Sequence, residues 1–368
     1  MRKLCCLTAI ALLINLNAFA LTTSADSALL LDAHSGRVLY AQNADERHLI
    51  ASTTKIMTGF LALQMAEPSE VVDITRADTL VEGTRVYFKE GDRLTVGELL
   101  IGVLLQSGND AALALARYCG GQDGVQGFVD AMNGMASVIG MTGSRFANPH
   151  GLNSDENYST ARDMALLAQA AMALPAFAEI VAKKTGAVGE MTVRNHNKML
   201  WNYEGANGIK TGYTQLAGRC LVSSAERGGQ LLIAVTLDDP SDWQDHADML
   251  DFGFNNFPER RLCTAEAFMC EMPVVSGTSA RADIRVRETV TRALKEEELQ
   301  FVRAEVELPR FLWAPIEQGE TVGLTRFFIN GECVGQSELY AASSVSEYVP
   351  TKKEGLWNAF KRLLRLGG

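Results

Sequence analysis

The chain has 368 residues, 47% hydrophobic and 21% charged, an ordinary globular composition that excludes a disordered or collagen-like chain. Its 34 basic and 44 acidic residues leave a net charge of −10, which repels a phosphate backbone and excludes nucleic acid as a partner. The length suggests two domains. Met1-Arg2-Lys3, the apolar run Leu4 to Leu16 and the small-x-small triplet Ala18-Phe19-Ala20 together predict a secretory signal over residues 1–20. That run is too short for a hydrocarbon core that needs roughly 20 apolar residues. Removing the signal takes away Arg2 and Lys3 and no acid, so the exported chain carries 32 bases against 44 acids. Cys5 and Cys6 leave with it, and Cys119, Cys220, Cys263, Cys270 and Cys333 remain, an odd set with no metal-ligand spacing. Free thiols acting as small apolar groups are expected, with a Cys263–Cys270 bridge as the alternative.

Ala28 to Asp32 and Arg37 to Tyr40 read as two strands around His34-Ser35-Gly36, a hairpin that opens the mature chain. From Thr53 the apolar residues Ile56, Met57, Phe60, Leu61 and Leu63 follow a helical period, as do Val96–Leu105, Ala111–Tyr118, Val125–Ile139 and Ala161–Ala171. Cys220–Ser224 and Leu231–Leu237 are strand candidates around the turn Glu226-Arg227-Gly228-Gly229. Strands therefore flank a helical block, as in a sheet built from the two ends of one domain. Beyond about residue 262 the helical signal fades, and alternation appears at Val302, Ala304, Val306 and Leu308 and around Asn330-Gly331. The expected class is α/β (α+β): residues 21–262 as a helical block on an antiparallel sheet, 263–349 as a small all-β domain, and 350–368 as an amphipathic helix. In that last segment Leu356, Trp357, Phe360, Leu363 and Leu364 share a helical spacing, with Lys361, Arg362 and Arg365 between them, which points to an anionic membrane surface.

Ser52-Thr53-Thr54-Lys55 sits where the first helical period begins, so Ser52 and Lys55 lie one turn apart on one face. A serine hydroxyl needs an adjacent base, and a lysine is that base only when burial or a second cation lowers its pKa. Alone the pattern is common. Downstream come Ser107-Gly108-Asn109 and Lys210-Thr211-Gly212-Tyr213, and the three segments in this order are far harder to obtain by accident. Lys184-Thr185-Gly186 repeats the third motif, but Lys210 leads into the 220–237 hairpin and suits an exposed strand lining a cleft. His150, between Asn148-Pro149 and Gly151, reads as a loop residue rather than a base, and His196 and His246 fall outside the expected site.

On this trio, with Asn148-Pro149-His150-Gly151-Leu152, Ser159-Thr160-Ala161-Arg162-Asp163-Met164 and Leu250-Asp251-Phe252-Gly253-Phe254, nearly the whole chain resembles the serine-type D-alanyl-D-alanine carboxypeptidases among the low-molecular-mass penicillin-binding proteins. The resemblance implies a β-lactamase/transpeptidase-like catalytic fold and removal of the terminal D-alanine from a peptidoglycan pentapeptide. It implies β-lactams as covalent inhibitors, no metal or organic cofactor, and a location in the periplasm or at the outer face of the cytoplasmic membrane, with attachment through residues 351–368. By the same resemblance Ser52 is the nucleophile, Lys55 its base and Ser107 a proton relay to the leaving D-alanine. Asn109 holds Lys55 and the substrate amide, Lys210 and Thr211 engage the terminal carboxylate, Gly212 allows close approach of the substrate backbone, and the N–H groups of Ser52 and Tyr213 form the oxyanion hole. The chain departs from the family at Ile50, where proline is usual, and at Asp242, where arginine is frequent, so the remaining readers of the carboxylate stay open. Three other activities fit parts of the pattern. A DD-endopeptidase differs only in substrate, a weakly catalytic penicillin-binding scaffold would keep the trio for binding alone, and a class A β-lactamase needs a deacylating carboxylate that the 153–163 segment does not supply.

Overall fold

The computed structural model describes residues 21–349 together with Phe360 and Lys361. The expected signal over 1–20, and the expected 350–368 helix apart from those two residues, lie outside the described residues.

Ser27–Asp32 and Arg37–Gln42 form the opening hairpin, turning at Gly36 with a φ of +68°. Ser27–Asp32 also pairs antiparallel with Gln230–Leu237, Leu29 opposite Val235 and Leu31 opposite Ile233, so the two ends of the domain meet in mid-sheet. The five strands run in the order Arg37–Gln42, Ser27–Asp32, Gln230–Leu237, Gly218–Arg227, Ala206–Thr214, which leaves the 206–214 strand as an open edge. Because side chains alternate across a strand, Leu29, Leu31, Val222, Ile233 and Val235 enter a core shared with the helical block. Leu30, Leu221, Leu232 and Ala234 enter a second core under Met249 and Leu250 of the helix Asp242–Asn256. The sheet is therefore buried on both faces, which is why its strands read as continuous apolar runs.

Helix Lys55–Met65 is the centre of the block: every residue from Lys55 to Ala62 is buried, which a helix achieves only when neighbours surround it. It packs against Val96–Leu104, Asn109–Cys119, Gly124–Ile139 and Ala161–Met172. Reciprocal bonds between Thr95 and Glu98 start the 96–104 helix, and Thr160 Oγ1 accepts the Asp163 N–H at the head of 161–172. Among the described residues Cys119, Cys220, Cys263, Cys270 and Cys333 are all free thiols.

The β-rich part holds a six-stranded sheet in the order Val302–Glu307, Thr321–Ile329, Glu332–Ala341, Arg281–Val286, Phe268–Val275, Leu312–Trp313. Asn330 and Gly331, with φ of +51° and +87°, make the two-residue turn that their sequence announces. The alternation at Val302–Val306 does form a strand, but as a sheet edge it is mostly exposed. Arg37 ties the two parts together, donating to the Ala293 carbonyl at 2.6 Å and to both oxygens of Glu298, while Arg292 donates to the Ser35 carbonyl at 2.6 Å.

Candidate active site

Ser52 lies in the tight turn Ala51–Thr54 that feeds directly into the central helix. Thr53 closes the turn, its hydroxyl and amide both donating to the Ile50 carbonyl at 2.5 and 3.1 Å. Ala51 carries a φ of +44°, an uncommon conformation for a residue with a Cβ. Lys55 follows as the first helical residue. Its Nζ lies 3.0 Å from Ser52 Oγ, 2.7 Å from Asn109 Oδ1 and 2.6 Å from the His150 carbonyl oxygen. Two of these partners are carbonyl oxygens, which only accept. A neutral amine spends its two N–H bonds on them and leaves its lone pair facing the Ser52 hydroxyl. Complete burial, and next the charge of Lys210, hold the Lys55 amine well below its ordinary pKa, against an opposing pull from Asp110.

The second segment turns sharply between helices Val96–Leu104 and Asn109–Cys119. Ser107 is buried there with a φ of +64°, and the Gly108 amide donates to the Gly102 carbonyl at 2.9 Å. The strained turn lets Asn109 present Oδ1 to Lys55 while its Nδ2 donates to the Glu82 carbonyl at 2.6 Å. Asp110, next along, accepts the Val86 and Tyr87 amides at 2.9 and 2.8 Å and so pins the 82–88 loop beside the site. Sequence patterning offered no role for Asp110 or for this loop.

The third segment is the open sheet edge. Lys210 is buried, its Nζ donates to the Thr211 carbonyl at 3.0 Å, and burial lowers its pKa to about 7. Gly212 explains how closely this strand approaches the Ser52 turn: a Cβ placed there would lie 3.0 Å from Ile50 O and 3.1 Å from the amide nitrogens of Ser52 and Thr53. Tyr213, the next residue, is exposed on the edge. Lys184-Thr185-Gly186, by contrast, enters the separate two-stranded ribbon Thr185–Val188/Met191–Arg194, with exposed Lys184 over the Trp201 ring.

His150 is a structural loop residue with one site duty. Asn148 Oδ1 accepts the His150 and Gly151 amides, the ring Nδ1 accepts the Leu152 N–H at 3.2 Å, and the main-chain carbonyl takes the Lys55 bond. Burial, and next the charge of Lys55, press its imidazole down to about 3, so it is no base at neutral pH. His246 is buried on the other face of the sheet between Ser223 and Thr236. His196 is half-buried, its pKa lowered by burial and then by Lys210. Arg219 stands out among residues the sequence did not single out. It lies opposite Tyr213 on the neighbouring strand, its Nη2 donates to both oxygens of Asp242 at 2.7 and 3.0 Å, and its guanidinium lies 5.8 Å from the centre of the Trp243 ring.

A serine hydroxyl against a desolvated amine, with a second buried amine close enough to act on the first, is an arrangement that can serve as a nucleophile–base pair without a carboxylate. The D-alanyl-D-alanine carboxypeptidase family model matches residues 15–241, and the model of the penicillin-binding protein 5 C-terminal domain matches 260–347. The chain belongs to the D-alanyl-D-alanine carboxypeptidase family. It is 33% identical over 336 residues to D-alanyl-D-alanine carboxypeptidase DacC of Escherichia coli, covering 87% of this chain and 84% of that protein. It is 29% identical over 362 residues to DacF of Bacillus subtilis, covering 94% and 90%. Among solved structures, penicillin-binding protein 5 of Haemophilus influenzae matches 89% of this chain and 98% of its own at a TM-score of 0.74 and 28% identity. A peptidoglycan synthesis regulatory factor (PBP3) of Streptococcus pneumoniae matches 88% and 100% at 0.77 and 25%. The fold is that of a penicillin-binding protein with an all-β C-terminal domain, and the chain is a hydrolase of the D-Ala-D-Ala carboxypeptidase kind.

Proposed function

We propose that the protein removes the terminal D-alanine from peptidoglycan pentapeptides through an acyl-enzyme on Ser52, with residues 21–262 as the catalytic domain and 263–349 as the β-rich domain. The observation that carries this reading is the 3.0 Å approach of Lys55 Nζ to Ser52 Oγ, with both other contacts of that nitrogen taken by carbonyl oxygens. Ser52 Oγ attacks the penultimate carbonyl carbon and its proton passes to the lone pair of Lys55. The amide N–H groups of Ser52 and Tyr213 receive the oxyanion, each donor contributing roughly 3–4 kcal/mol in such sites. Close packing of Gly212 on the Ser52 amide supports this placement. Collapse breaks the C–N bond, the leaving amine takes a proton through Ser107, and water then cleaves the ester and restores Ser52. Asn109 holds Lys55 in place and offers its amide to the substrate.

Lys210 and Thr211 meet the terminal carboxylate, and Arg219 supplies the further cation. Thr211 and Tyr213 face Leu221 and Arg219 across the strand pair, so all four side chains share one face, with Arg219 diagonal to Thr211 at roughly 7–8 Å between backbones. The Arg219 guanidinium thus reaches the neighbourhood of Asp242 from the strand rather than from the helix. β-Lactams, which carry a carboxylate beside a strained amide, acylate the same serine. The protein acts outside the cytoplasm, at the outer face of the cytoplasmic membrane, held by the cationic amphipathic segment 351–368. Among the described residues no single helix is long and apolar enough to cross a membrane.

Release of D-alanine from a pentapeptide, measured beside a crosslinked dimer, tests the reaction. Wild type is expected to release D-alanine from the pentapeptide, and Ser52→Ala to release none. Preferential cleavage of the dimer would overturn the carboxypeptidase assignment in favour of an endopeptidase.

A further inference from the structure

The strands of the β-rich domain run away from the catalytic domain. Their near end is the Asn330-Gly331 turn, in a cleft that Arg37, Arg292 and Glu332 also line. From there Glu332–Ala341 runs outward over ten residues, roughly 30 Å at strand rise. Ala341 lies opposite Ile284, and Arg281 opposite Pro273, so the end of Phe268–Val275 and the 276–280 turn form the far tip. At that tip Trp313 pairs with Val275, the Ala314 amide donates to the Val275 carbonyl, and the Tyr348 amide donates to the Ser276 carbonyl at 2.7 Å. The chain leaves the β-rich domain here, one residue later at Val349, toward the 350–368 segment. Phe311 and Trp313 stack edge to face at 5.6 Å between centroids, yet 42% and 63% of their surfaces are exposed, and Val349 is 75% exposed.

We propose that this tip is a second membrane contact, with Phe311, Trp313 and Val349 lying in the lipid interface beside the tail. The inference rests on the reading of 351–368 as a membrane anchor. An amphipathic helix in the interface brings the point where it joins the domain to headgroup level, and aromatic rings with a polar edge are favoured at that depth. Arg310 flanks the pair with a cation that reaches back to phosphate. The tip also carries Glu317, Glu320 and Glu347, so its contact is apolar rather than electrostatic and resists salt, whereas the Lys- and Arg-rich tail is weakened by it. The catalytic cleft would then stand off the bilayer by about the length of the β-rich domain, facing the wall.

The test uses the full mature chain and vesicles of phosphatidylglycerol and phosphatidylethanolamine, floated at low and high salt, with F311S/W313S and a 351–368 deletion beside wild type. A chain in which Trp201, Trp243 and Trp357 are phenylalanine leaves Trp313 as the sole tryptophan for quenching by brominated lipid. Quenching of Trp313, with a roughly tenfold weaker partition of F311S/W313S that persists at high salt, is the expected result. Binding of wild type with no Trp313 quenching, and a partition of F311S/W313S equal to wild type, would overturn the tip contact while leaving the tail anchor intact. Failure of wild type to float at either salt would overturn both. Unchanged penicillin acylation of F311S/W313S shows that the variant is folded.

Discussion

Gly212 is where the third motif touches the first, and Gly212→Ala asks whether that contact does chemical work. The added methyl would sit 3.0–3.1 Å from Ile50 O, Ser52 N and Thr53 N. Comfortable contacts of carbon with such atoms begin near 3.5 Å, so the edge strand has to retreat by about half an ångström. All three opposing atoms are backbone in a hydrogen-bonded turn and do not yield as a side-chain tip would. Oxyanion donors act over a window of about 2.7–3.1 Å, and the same retreat carries the Tyr213 N–H out of it. Full loss of one donor costs roughly 10²–10³ in rate, and a partial loss shared with strand relaxation gives an expected ten- to hundredfold drop in acylation. Overpacking costs about 1–3 kcal/mol of stability, a melting shift of a few degrees. Stopped-flow acylation by a fluorescent penicillin reads the first quantity and a thermal melt the second. Acylation within threefold of wild type, by a protein whose melt has shifted as expected, would refute the placement of the oxyanion hole between Ser52 and Tyr213.

Other expectations concern charge. In the free enzyme Lys210 titrates near 7, so second-order acylation is expected to fall as pH rises through about 7, where the carboxylate loses its cation, and Lys210→Met should flatten that limb. The same residue bears on stability. Between about 7 and its ordinary 10.5 the unfolded chain binds a proton that the folded chain does not, so stability rises with pH across that window and the penalty is complete below it. Its upper bound is about 5 kcal/mol, and denaturation midpoints of wild type and Lys210→Met at pH 6 and 9 should show a steeper dependence in wild type than in the variant, which keeps the contribution of the buried Lys55. Arg219→Ala should raise KM for a peptide with a free C-terminal carboxylate by ten- to hundredfold with little change in kcat, and Arg219→Lys should restore part of the loss. Equal KM in all three would remove Arg219 from the carboxylate site. Asp110→Ala frees the Val86 and Tyr87 amides and should cost roughly 1–3 kcal/mol together with faster hydrogen exchange over 82–88, and unaltered exchange there would contradict the pinning role.

Much of the frame was legible because its signals are local. Leu29, Leu30 and Leu31 form an apolar run since each face of the strand meets a core, and Asn330-Gly331 marks its own turn. The helix Asp242–Asn256 was not legible: Asp242, Gln244, Asp245, His246, Asp248 and Asp251 leave only a narrow apolar stripe, and Asp245 and His246 are buried by tertiary partners that no window of sequence reveals. The site divides along the same line. Of the candidate residues, Ser52, Lys55, Asn109 and Lys210 stand out in the sequence as residue types in ordered motifs, and the distances among the first three follow from helix spacing and one tight turn. Main-chain atoms carry no such mark, so the His150 carbonyl that occupies one N–H of Lys55 was invisible. Arg219 was hidden for a different reason: only the register of two strands places it opposite Tyr213. Spacing alone also could not separate Lys184 from Lys210, and what distinguishes them is burial.

Intact-mass analysis after penicillin treatment, with mapping of the modified peptide, goes straight to the nucleophile. One adduct per chain is expected on the peptide that holds Ser52, with none on Ser52→Ala. An adduct on another residue, or one that persists in Ser52→Ala, would contradict the hydroxyl–amine pair on which the chemistry rests.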